Sequence, residues 1–438
     1  MIVPVDKKYG FRYITDDSQA CDARSAFFLT QLNARYLNDA KAHGCTNIIK
    51  AEAVSKILGI ENIKIIGITG TNGKTTTAAA LYSILLDLGH KVALQGTRGY
   101  FINDERVQEK GLTTPTIFET MKNIQDAINE GCEYFIMEVS SHAIVQNRID
   151  GLKFSLKIFT NVTHDHLDYH KSIEEYIAVK SSFFDDETPK LINKDDKKIQ
   201  YNPKNCRTYG VENPATYKTL AYSLDEGIQV ALAKIEKVHE CHSPLHGFFN
   251  LYNILAAIGA ADMLNIAPLD AICEAVENFM GVEGRMEVVS ADPLIIVDFA
   301  HTPDGMEKVM DSLKEKKIVV VFGAGGDRDR NKRPKMGFIA SKFAKKIMIT
   351  SDNPRSEDPE MIIEEILMGI KQKTNLKVEP DRKKALQEAL KWQEKDEVLL
   401  ILGKGDETYQ EIKGQKYPFD DRVIIKNELS SNNTQSAD

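Results

Sequence analysis

The sequence has little that would place it in a membrane or on nucleic acid. Its first residues, MIVPVDKKYGFRY, lack the long apolar segment of a signal peptide, and no apolar run reaches the length that spans a bilayer. The net charge of −8 gives no support for general binding to nucleic acid or to anionic lipid. We therefore expect a cytoplasmic monomer that binds small molecules, with no nucleic-acid partner and no membrane insertion.

The sequence also lacks the cysteine spacings of a metal site or a disulfide framework. Its six cysteines are Cys21, Cys45, Cys132, Cys206, Cys241 and Cys273. No two of them form a C-x-x-C pair, so we expect free thiols in a reducing compartment. The content of 42% hydrophobic and 27% charged residues is ordinary for a soluble globular protein, and 438 residues usually form two to four domains.

Apolar runs alternate with amphipathic helices along two long stretches, which predicts an α/β fold with parallel sheets covered on both faces. Strands are predicted at 26–30, 63–69, 134–139, 157–161, 294–299, 318–322, 347–351 and 398–402, and helices at 33–43, 75–88, 173–184 and 251–264. The glycine-rich segment MGVEGR at 280–285 separates the two stretches. We expect three domains, at 1–62, 63–282 and 283–438.

The segment GTNGKTT follows a predicted strand and opens a predicted helix, which is the context of a phosphate-binding loop. Its residues are Gly70, Thr71, Asn72, Gly73, Lys74, Thr75 and Thr76. Glycines let backbone amides approach phosphate oxygens, Lys74 offers a charge for the β- and γ-phosphates, and the Thr75 hydroxyl can hold Mg²⁺. The spacing departs from G-x-x-x-x-G-K-[ST], because Ile68 occupies the first glycine position.

Two further segments offer metal ligands at strand ends, where parallel sheets bind their ligands. Glu138 ends an apolar strand and is a candidate for Mg²⁺, although it could equally be a solvent-facing carboxylate. NVTHDHLDYH at 161–170 holds three histidines without zinc-site spacing, so we expect one of them to bind a phosphate-bridging Mg²⁺, or else a polar loop. For HECHSPLH at 239–246 we favour an ordinary segment over a metal site.

These segments resemble, in order, the motifs of the Mur ligase family. The resembling motifs are GTNGKTT, EVSSH, DHLDYH, HGFFNLYN, GRME, DFAHTPDGM, GGDRDRNKRP, DNPR and GKGDE, and they span roughly residues 64–425. The resemblance implies a short uridine-binding N-terminal domain, a central P-loop ATPase with a parallel sheet, and a Rossmann-like C-terminal domain. It also implies an ATP- and Mg²⁺-dependent ligase of peptidoglycan precursor synthesis. Such an enzyme would add meso-diaminopimelate to UDP-N-acetylmuramoyl-L-alanyl-D-glutamate through an acyl phosphate.

The resemblance assigns roles residue by residue. Lys74 and Thr75 match ATP and Mg²⁺ residues, Glu138 and His166 match Mg²⁺ ligands, and Lys180 matches a lysine that the family carbamylates to give a further Mg²⁺ ligand. Candidate contacts for the nucleotide peptide are Ser18, Thr113, Thr114, Ser140, Gln146 and Arg148. Candidate contacts for ATP are Asn250, Asn253, Arg285 and Asp298, and His301 matches a catalytic-loop histidine. Ser18 lies in DDSQ, which matches the family's uridine-binding segment only weakly.

The choice of amino acid is expected in the C-terminal domain. Diaminopimelate ends in a second ammonium and carboxylate, so Arg328 and Arg355 are candidates for binding the carboxylate in a bidentate manner. The other candidates are Asp352, Asn353, Pro354, Gly403 and Glu407. The loop GKGDE has Asp406 where the family pattern GKGHE has histidine.

Three alternatives stay open at this point. A lysine-adding Mur ligase would lack the site for the distal carboxylate. An enzyme like folylpolyglutamate synthase would use another carboxylate acceptor, which EVSSH together with DNPR argues against. A P-loop switch would bind a partner and hydrolyse nucleotide without forming a bond.

Overall fold

A computed structural model describes residues 1–163, 172–371 and 375–435. The chain divides into two compact units, one formed by residues 1–244 and 250–280, the other by residues 245–249 and 281–438. Within these described ranges, no helix is both long and apolar enough to cross a bilayer.

The first unit begins with a small sheet of order β1-β2-β3-β4. Its elements are β1 (Ile2–Pro4), β2 (Tyr13–Thr15), β3 (Ser25–Phe28), α1 (Leu37–Ala42), β4 (Asn47–Ile49) and α2 (Ala51–Leu58). The apolar residues Ala51, Val54 and Leu58 recur at helical spacing, so α2 buries one face. That face shares a core with the larger sheet that follows, which joins the small sheet firmly to the rest of this unit.

The same unit continues with a large sheet flanked by helices. Its strands are β5 (Lys64–Thr69), β6 (Val92–Gly96), β7 (Gly99–Ile102), β8 (Glu105–Gln108), β9 (Tyr134–Glu138), β10 (Phe154–Phe159), β11 (Lys190–Asn193), β12 (Cys206–Gly210), β13 (Tyr217–Ser223), β14 (Ile228–Lys234) and β15 (Lys237–Ser243). The helices are α3 (Lys74–Asp87), α4 (Ile117–Asn129), α5 (Ser141–Val145), α6 (Ile173–Ser182), α7 (Phe248–Met263) and α8 (Leu269–Glu277). The order is β15-β14-β13-β12-β11-β10-β5-β9-β6-β7-β8. The central strands are parallel and apolar, whereas the outer strands at both edges pair antiparallel.

The second unit contains a six-stranded sheet of order β16-β17-β21-β18-β19-β20 and a separate hairpin. Its strands are β16 (Glu287–Ala291), β17 (Leu294–Asp298), β18 (Lys317–Phe322), β19 (Lys346–Ile349), β20 (Leu376–Val378), β21 (Glu397–Leu402), β22 (Tyr409–Ile412) and β23 (Gln415–Pro418). The helices are α9 (Pro303–Asp311), α10 (Lys332–Phe343), α11 (Pro359–Leu367), α12 (Arg382–Trp392) and α13 (Asp421–Gln435). Apolar clusters cover both faces of the sheet, as its continuous apolar strands require.

The predicted α/β fold with parallel sheets is confirmed, but two features differ from expectation. The large sheet is mixed, because antiparallel strands extend it at both edges. The prediction of six free thiols is wrong for Cys241 and Cys273, which form a disulfide between β15 and α8. Their separation of 32 residues follows no recognisable spacing, and only the packing of α8 against β15 brings them together.

Candidate active site

The phosphate loop connects β5 to α3 at the carboxyl edge of the large sheet. Gly73 has φ = 83°, and a Cβ atom there would lie 2.2 Å from Oδ1 of Asn253, so the turn requires glycine. The Lys74 ammonium donates to the carbonyl oxygens of Gly70 at 2.8 Å and Thr71 at 2.9 Å. The lysine therefore lies along the loop, at the place where a phosphate group would meet the α3 N-terminus.

The end of β10 holds the same loop in place. The Thr160 hydroxyl donates to the carbonyl of Asn72 at 2.7 Å, and the Asn72 amide donates to Oδ1 of Asn161 at 3.0 Å. The Thr71 hydroxyl lies 3.2 Å from the hydroxyl of Tyr176. Thr76 is buried within α3. The loop is thus fixed by neighbouring elements rather than by its own sequence alone.

Glu138 ends β9 and lies beside the phosphate loop with only 2% of its surface exposed. Oε2 accepts hydrogen bonds from the hydroxyls of Thr75 at 3.0 Å and Thr97 at 3.1 Å, and Oε1 accepts from the Thr97 amide at 2.9 Å. A buried carboxylate next to a threonine hydroxyl at the start of a phosphate-binding helix is a donor set that suits Mg²⁺. Glu138 is therefore not the solvent-facing carboxylate that the sequence left open as an alternative.

Lys180 lies on α6 and is 1% exposed. Its ammonium donates to the Gly70 carbonyl at 2.9 Å and lies 4.7 Å from the centre of the Tyr176 ring. A burial of this depth is unusual for lysine, which is normally exposed unless its charge has partners. Lys180 and Lys74 donate to the same carbonyl oxygen, so the loop carries two cationic groups close together.

A group of hydroxyl side chains and the Arg148 guanidinium lies near Glu138. The Thr114 hydroxyl donates to the Glu138 carbonyl at 2.9 Å and lies 3.3 Å from the Ser140 hydroxyl. The Thr113 and Thr97 hydroxyls are 3.1 Å apart. Arg148 extends this group by donating to the Thr114 carbonyl at 2.7 Å. Four of the six residues predicted to contact the nucleotide peptide therefore form one connected group near the carboxyl end of β9, namely Thr113, Thr114, Ser140 and Arg148.

A cavity of about 210 Å³ adjoins this group within the first unit. It is lined by the segment 28–33 after β3, by Thr116 and Phe118 of the α4 region, and by Gln146 and Arg148 after α5. Arg148 donates to the Gln146 side chain through Nε and Nη2, at 3.0 and 2.6 Å. Ser18 is buried at the start of a 3-10 turn and is not among the described residues that line this cavity. His166, the remaining predicted metal ligand, lies outside the described residues.

The predicted ATP contacts fall in both units. In the first unit, the buried Asn253 and Asn250 on α7 are joined by a 2.9 Å hydrogen bond, and Asn253 is the residue that closes on Gly73. In the second unit, the Arg285 guanidinium lies 4.8 Å from the centre of the Phe299 ring. Asp298 accepts from the amides of Met286 and Ala300, and its burial raises the pKa of the carboxyl.

His301 lies in the loop between β17 and α9. Its Nδ1 is 3.0 Å from the Phe299 carbonyl, and the two rings meet edge to face. Lys332 donates to the His301 carbonyl at 3.2 Å, which ties this loop to α10. These contacts fix the histidine close to Arg285 through their shared neighbour Phe299.

Two loops of the second unit bring the predicted amino-acid contacts together. Asn353, after β19, donates through Nδ2 to Glu407, after β21, at 2.8 Å. The Lys404 ammonium donates both to Oδ1 of Asn353 at 3.0 Å and to Glu407 at 3.1 Å. Gly403 has φ = 112°, and a Cβ there would lie 2.4 Å from Oδ2 of Asp352. The two loops are therefore held in contact by side-chain bonds and by the absence of a side chain at Gly403.

Arg355 lies at the edge of this group. Its Nε donates to Glu411 at 3.2 Å, and its Nη1 donates to the Gly326 carbonyl at 2.6 Å. The Pro354 carbonyl packs against Gly326, where a Cβ would lie 1.9 Å away. Arg328 is exposed in the loop after β18. The structure thus brings Arg355 next to a carboxylate of this chain, and it leaves Arg328 at the surface.

Sequence reasoning missed three residues of these sites: Thr97, Lys404 and Glu411. Thr97 follows β6 in GTRGY and hydrogen-bonds Glu138, yet a threonine after a strand gives no distinctive signal. Lys404 stands inside GKGDE, but a lysine in a loop is usually exposed, whereas this one is 0% exposed. Glu411 lies on a hairpin whose approach to Arg355 is set by tertiary packing.

Comparison with known proteins agrees with this geometry. Residues 68–261 match the Mur ligase middle domain, and residues 284–405 match the Mur ligase, glutamate ligase domain. The UDP-N-acetylmuramoyl-L-alanyl-D-glutamate--2,6-diaminopimelate ligase of Wolinella succinogenes is 55% identical over 95% of this chain and 96% of its own length. The Helicobacter hepaticus protein of the same name is 51% identical over 92% of this chain and 89% of its own length. A solved structure of a ligase with this name has a TM-score of 0.73 at 28% identity, and the match covers 96% of this chain and 95% of that one. The chain belongs to the Mur ligase family.

Proposed function

We propose that this chain is an ATP-dependent ligase that adds meso-diaminopimelate to UDP-N-acetylmuramoyl-L-alanyl-D-glutamate. The observation that carries the proposal is a group of side chains in the second unit. There, acceptor side chains of the loops after β19 and β21 lie beside the guanidinium of Arg355. Relatives more than 50% identical over most of the chain carry the name of this ligase, which supports the same choice of substrates.

The amino-acid site fits a substrate whose far end is a zwitterion. Glu407 and Asp352 would offer carboxylate oxygens to the distal ammonium. Asn353 would act by holding Glu407 through its Nδ2, since its Oδ1 already accepts two hydrogen bonds. Arg355 would bind the distal carboxylate with the planar geometry that guanidinium groups favour. Lysine lacks this carboxylate, so a lysine-adding enzyme would have no use for Arg355.

The reaction itself needs the substrate's D-glutamyl carboxylate to attack the γ-phosphate of ATP. Lys74 would place its charge on the transferring phosphoryl group, and the α3 N-terminus would bind the phosphates through its backbone amides. Glu138 and the Thr75 hydroxyl would hold Mg²⁺, which when bound neutralises charge on the phosphate oxygens. The amine of the incoming amino acid then attacks the acyl phosphate, and inorganic phosphate leaves.

Lys180 is proposed to be carbamylated. As an ammonium, it shares the Gly70 carbonyl with the Lys74 ammonium, so two like charges lie close together in a buried place. Reaction of the neutral amine with CO₂ gives a carbamate and a proton, which replaces this repulsion with an attraction. The resulting anion would supply a further oxygen ligand for Mg²⁺ next to the phosphate loop.

The nucleotide peptide is proposed to bind in the first unit. Thr113, Thr114 and Ser140 would contact its peptide part near Glu138, and Gln146 and Arg148 would face the cavity that leads away from them.

We assign 1–62, 63–282 and 283–438 to binding of the UDP part, of ATP and of the amino acid, respectively. The matched family segments, 68–261 and 284–405, fall within the last two of these ranges. We also infer that the enzyme acts as a cytoplasmic monomer.

An assay of ADP release tests the proposal and its alternatives together. ADP should appear only when ATP, the nucleotide dipeptide and diaminopimelate are all present, with one tripeptide product formed per ADP. Equal turnover with lysine would favour the lysine-adding ligase, and turnover with a folate acceptor would favour the folylpolyglutamate synthase-like enzyme. Slow hydrolysis that depends on neither substrate would favour a nucleotide switch and would end the ligase proposal.

A further inference from the structure

A buried ion pair lies beneath the two loops of the proposed amino-acid site. Arg382 begins α12 and Asp421 begins α13, and both side chains are 0% exposed. Nε and Nη2 of Arg382 donate to the two oxygens of Asp421 at 2.9 and 2.7 Å, which is the bidentate geometry of a strong pair. Neither residue belongs to a motif on which the family resemblance rests.

The guanidinium also reaches the backbone of both substrate-binding loops. Nη1 donates to the Ser351 carbonyl at 3.4 Å, and Nη2 donates to the Leu402 carbonyl at 3.0 Å. These are the residues that immediately precede Asp352 and Gly403. The strands that lead to the two loops, β19 and β21, are not neighbours, because β18 lies between them. One side chain therefore bridges the carboxyl ends of two separated strands.

Arg382 also acts on the charge of the site. Its Nη1 lies 4.0 Å from Oδ2 of Asp352, so the guanidinium offsets part of that negative charge. Asp352 in turn accepts from the Asn353 amide at 2.7 Å and packs against Gly403. A shift of the Arg382 side chain would therefore be passed to Asp352 in the first loop and, through Asp352, to Gly403 in the second loop.

We propose that Arg382, held by Asp421, is a positioning residue for the amino-acid substrate. It sets the spacing between the loop 351–355 and the loop 403–407, and it thereby fixes how tightly the distal end of the amino acid is bound. The inference rests on the proposed function, since it assumes that these loops bind the amino acid. Arg382 itself does not contact substrate, because its donors are directed to Asp421 and to the two backbone carbonyls.

The same sheet offers a matched control at its opposite edge. Lys346 at the start of β19 and Glu397 at the start of β21 form a pair at 2.9 Å, with side chains 7% and 0% exposed. This pair also joins β19 to β21 across β18, but at the amino ends of the strands. It shares the burial and charge of the Arg382 pair and lies at the edge away from the substrate loops.

The test compares two double variants of the full-length enzyme, Arg382→Met with Asp421→Asn and Lys346→Met with Glu397→Gln. Each removes a cation and its paired anion together, so neither leaves one member of its own pair buried alone. The first also removes the guanidinium beside Asp352, which belongs to the proposed effect on the site. The first should raise KM for diaminopimelate about tenfold or more, because small displacements of binding groups can cost up to about a hundredfold. Its KM for ATP and for the nucleotide dipeptide should change less than about twofold. The second variant should leave the KM values for diaminopimelate, ATP and the nucleotide dipeptide within about twofold, even if it lowers the melting temperature as much as the first variant does.

A single variant, Arg382→Lys, keeps the measurement possible if a double variant fails to fold. Lysine keeps the charge but cannot reach Asp421 and both carbonyls at once, so a smaller rise in KM for diaminopimelate is expected. An unchanged KM in a folded Arg382 variant, or an equal rise in the Lys346 and Glu397 variant, overturns the positioning role. If the unmodified enzyme shows no dependence of ADP release on diaminopimelate, the proposed function fails instead.

Discussion

At the scale of single residues, the ammonium groups of Lys74 at the phosphate loop and Lys180 on α6 meet at one carbonyl oxygen, that of Gly70. Lys74 is the proposed phosphate ligand, and Lys180 donates to the same carbonyl oxygen of Gly70. Read from the sequence alone, Lys180 is an ordinary helix lysine, and only the family resemblance marks it. The structure adds its burial and its place beside Gly70, which the sequence of α6 does not encode locally.

Replacement of Lys180 with alanine is expected to reduce turnover strongly, and added formate or acetate is expected to restore part of it. A small carboxylate can enter the space that the lysine leaves and replace the missing carbamate oxygen near Mg²⁺. Steady-state rates measured with increasing acetate test this, with sodium chloride at equal ionic strength as the control. Full activity without added carboxylate would contradict the carbamate proposal.

Arg355 carries the prediction about amino-acid specificity. Arg355→Lys keeps the positive charge but loses the planar guanidinium, so it should lose one charge-assisted hydrogen bond to the distal carboxylate. Such a bond contributes about 1.5–3 kcal/mol, which corresponds to about a ten- to hundredfold fall in kcat/KM for diaminopimelate. KM for ATP should not change, because the loop proposed to bind its phosphates lies in the first unit.

Arg330→Lys is the matched control for Arg355. Arg330 lies in the loop next to Gly326 and is 62% exposed, where it pairs with Glu365 at the surface. Exposed pairs of this kind contribute little, so kcat/KM should stay within about twofold. If Arg355→Lys also stays within that range, Arg355 does not select the amino acid, although the ligase activity would still stand.

At the scale of elements, helix α3 has a left-handed glycine at each end. Gly73 before the helix has φ = 83°, and Gly89 after it has φ = 82°. Both positions disfavour a side chain for the same conformational reason, which costs about 1–2 kcal/mol. The two positions differ in their surroundings. A Cβ atom at Gly73 would lie 2.2 Å from Oδ1 of Asn253, whereas a Cβ atom at Gly89 would have no other atom within 4 Å.

Alanine at each of these glycines should therefore separate conformational strain from damage to the nucleotide site. Gly89→Ala should lower the free energy of unfolding by about 1–2 kcal/mol and leave turnover unchanged. Gly73→Ala should carry the same cost and in addition raise KM for ATP about tenfold, because the loop amides and Asn253 must move. Urea unfolding and ATP titration of the two variants measure both effects. Equal KM values for ATP would show that the contact with Asn253 does not shape the site.

The central elements could be predicted from the sequence because their signals are local. The apolar strands β5, β9 and β18 and the helix α3 appear close to their predicted positions. The edge strands β13, β14 and β15 are not among the predicted strands, because those are assigned from continuous apolar runs, which these segments lack; they pair antiparallel with one another. HECHSPLH lies partly in β15, where Cys241 forms its disulfide, His239 pairs with Asp270 and His242 faces solvent.

At the scale of the whole molecule, some predicted site residues are brought together by the order of the strands, and others by side-chain contacts between loops. Lys74 and Thr75 come after β5, and Glu138 ends β9. Because these two strands are parallel neighbours, the meeting of the three residues follows from strand order and could be anticipated. Asn353 and Glu407 follow strands that are not neighbours, and side-chain hydrogen bonds to each other and to Lys404 join them. Arg382 and Asp421 are 39 residues apart, and no periodicity or spacing links them. A single sequence does not reveal tertiary contacts of this kind.

The central claim is that ATP activates the D-glutamyl side-chain carboxylate as an acyl phosphate before the amine attacks. The most direct test uses a nucleotide dipeptide in which both oxygens of the side-chain carboxylate are ¹⁸O, together with ATP and diaminopimelate. If the carboxylate attacks phosphorus and the amine then displaces phosphate, one labelled oxygen leaves with each phosphate released. Mass spectrometry should therefore find inorganic phosphate with a single ¹⁸O atom, in equal amount to the tripeptide formed. Unlabelled phosphate released during tripeptide formation would contradict the account.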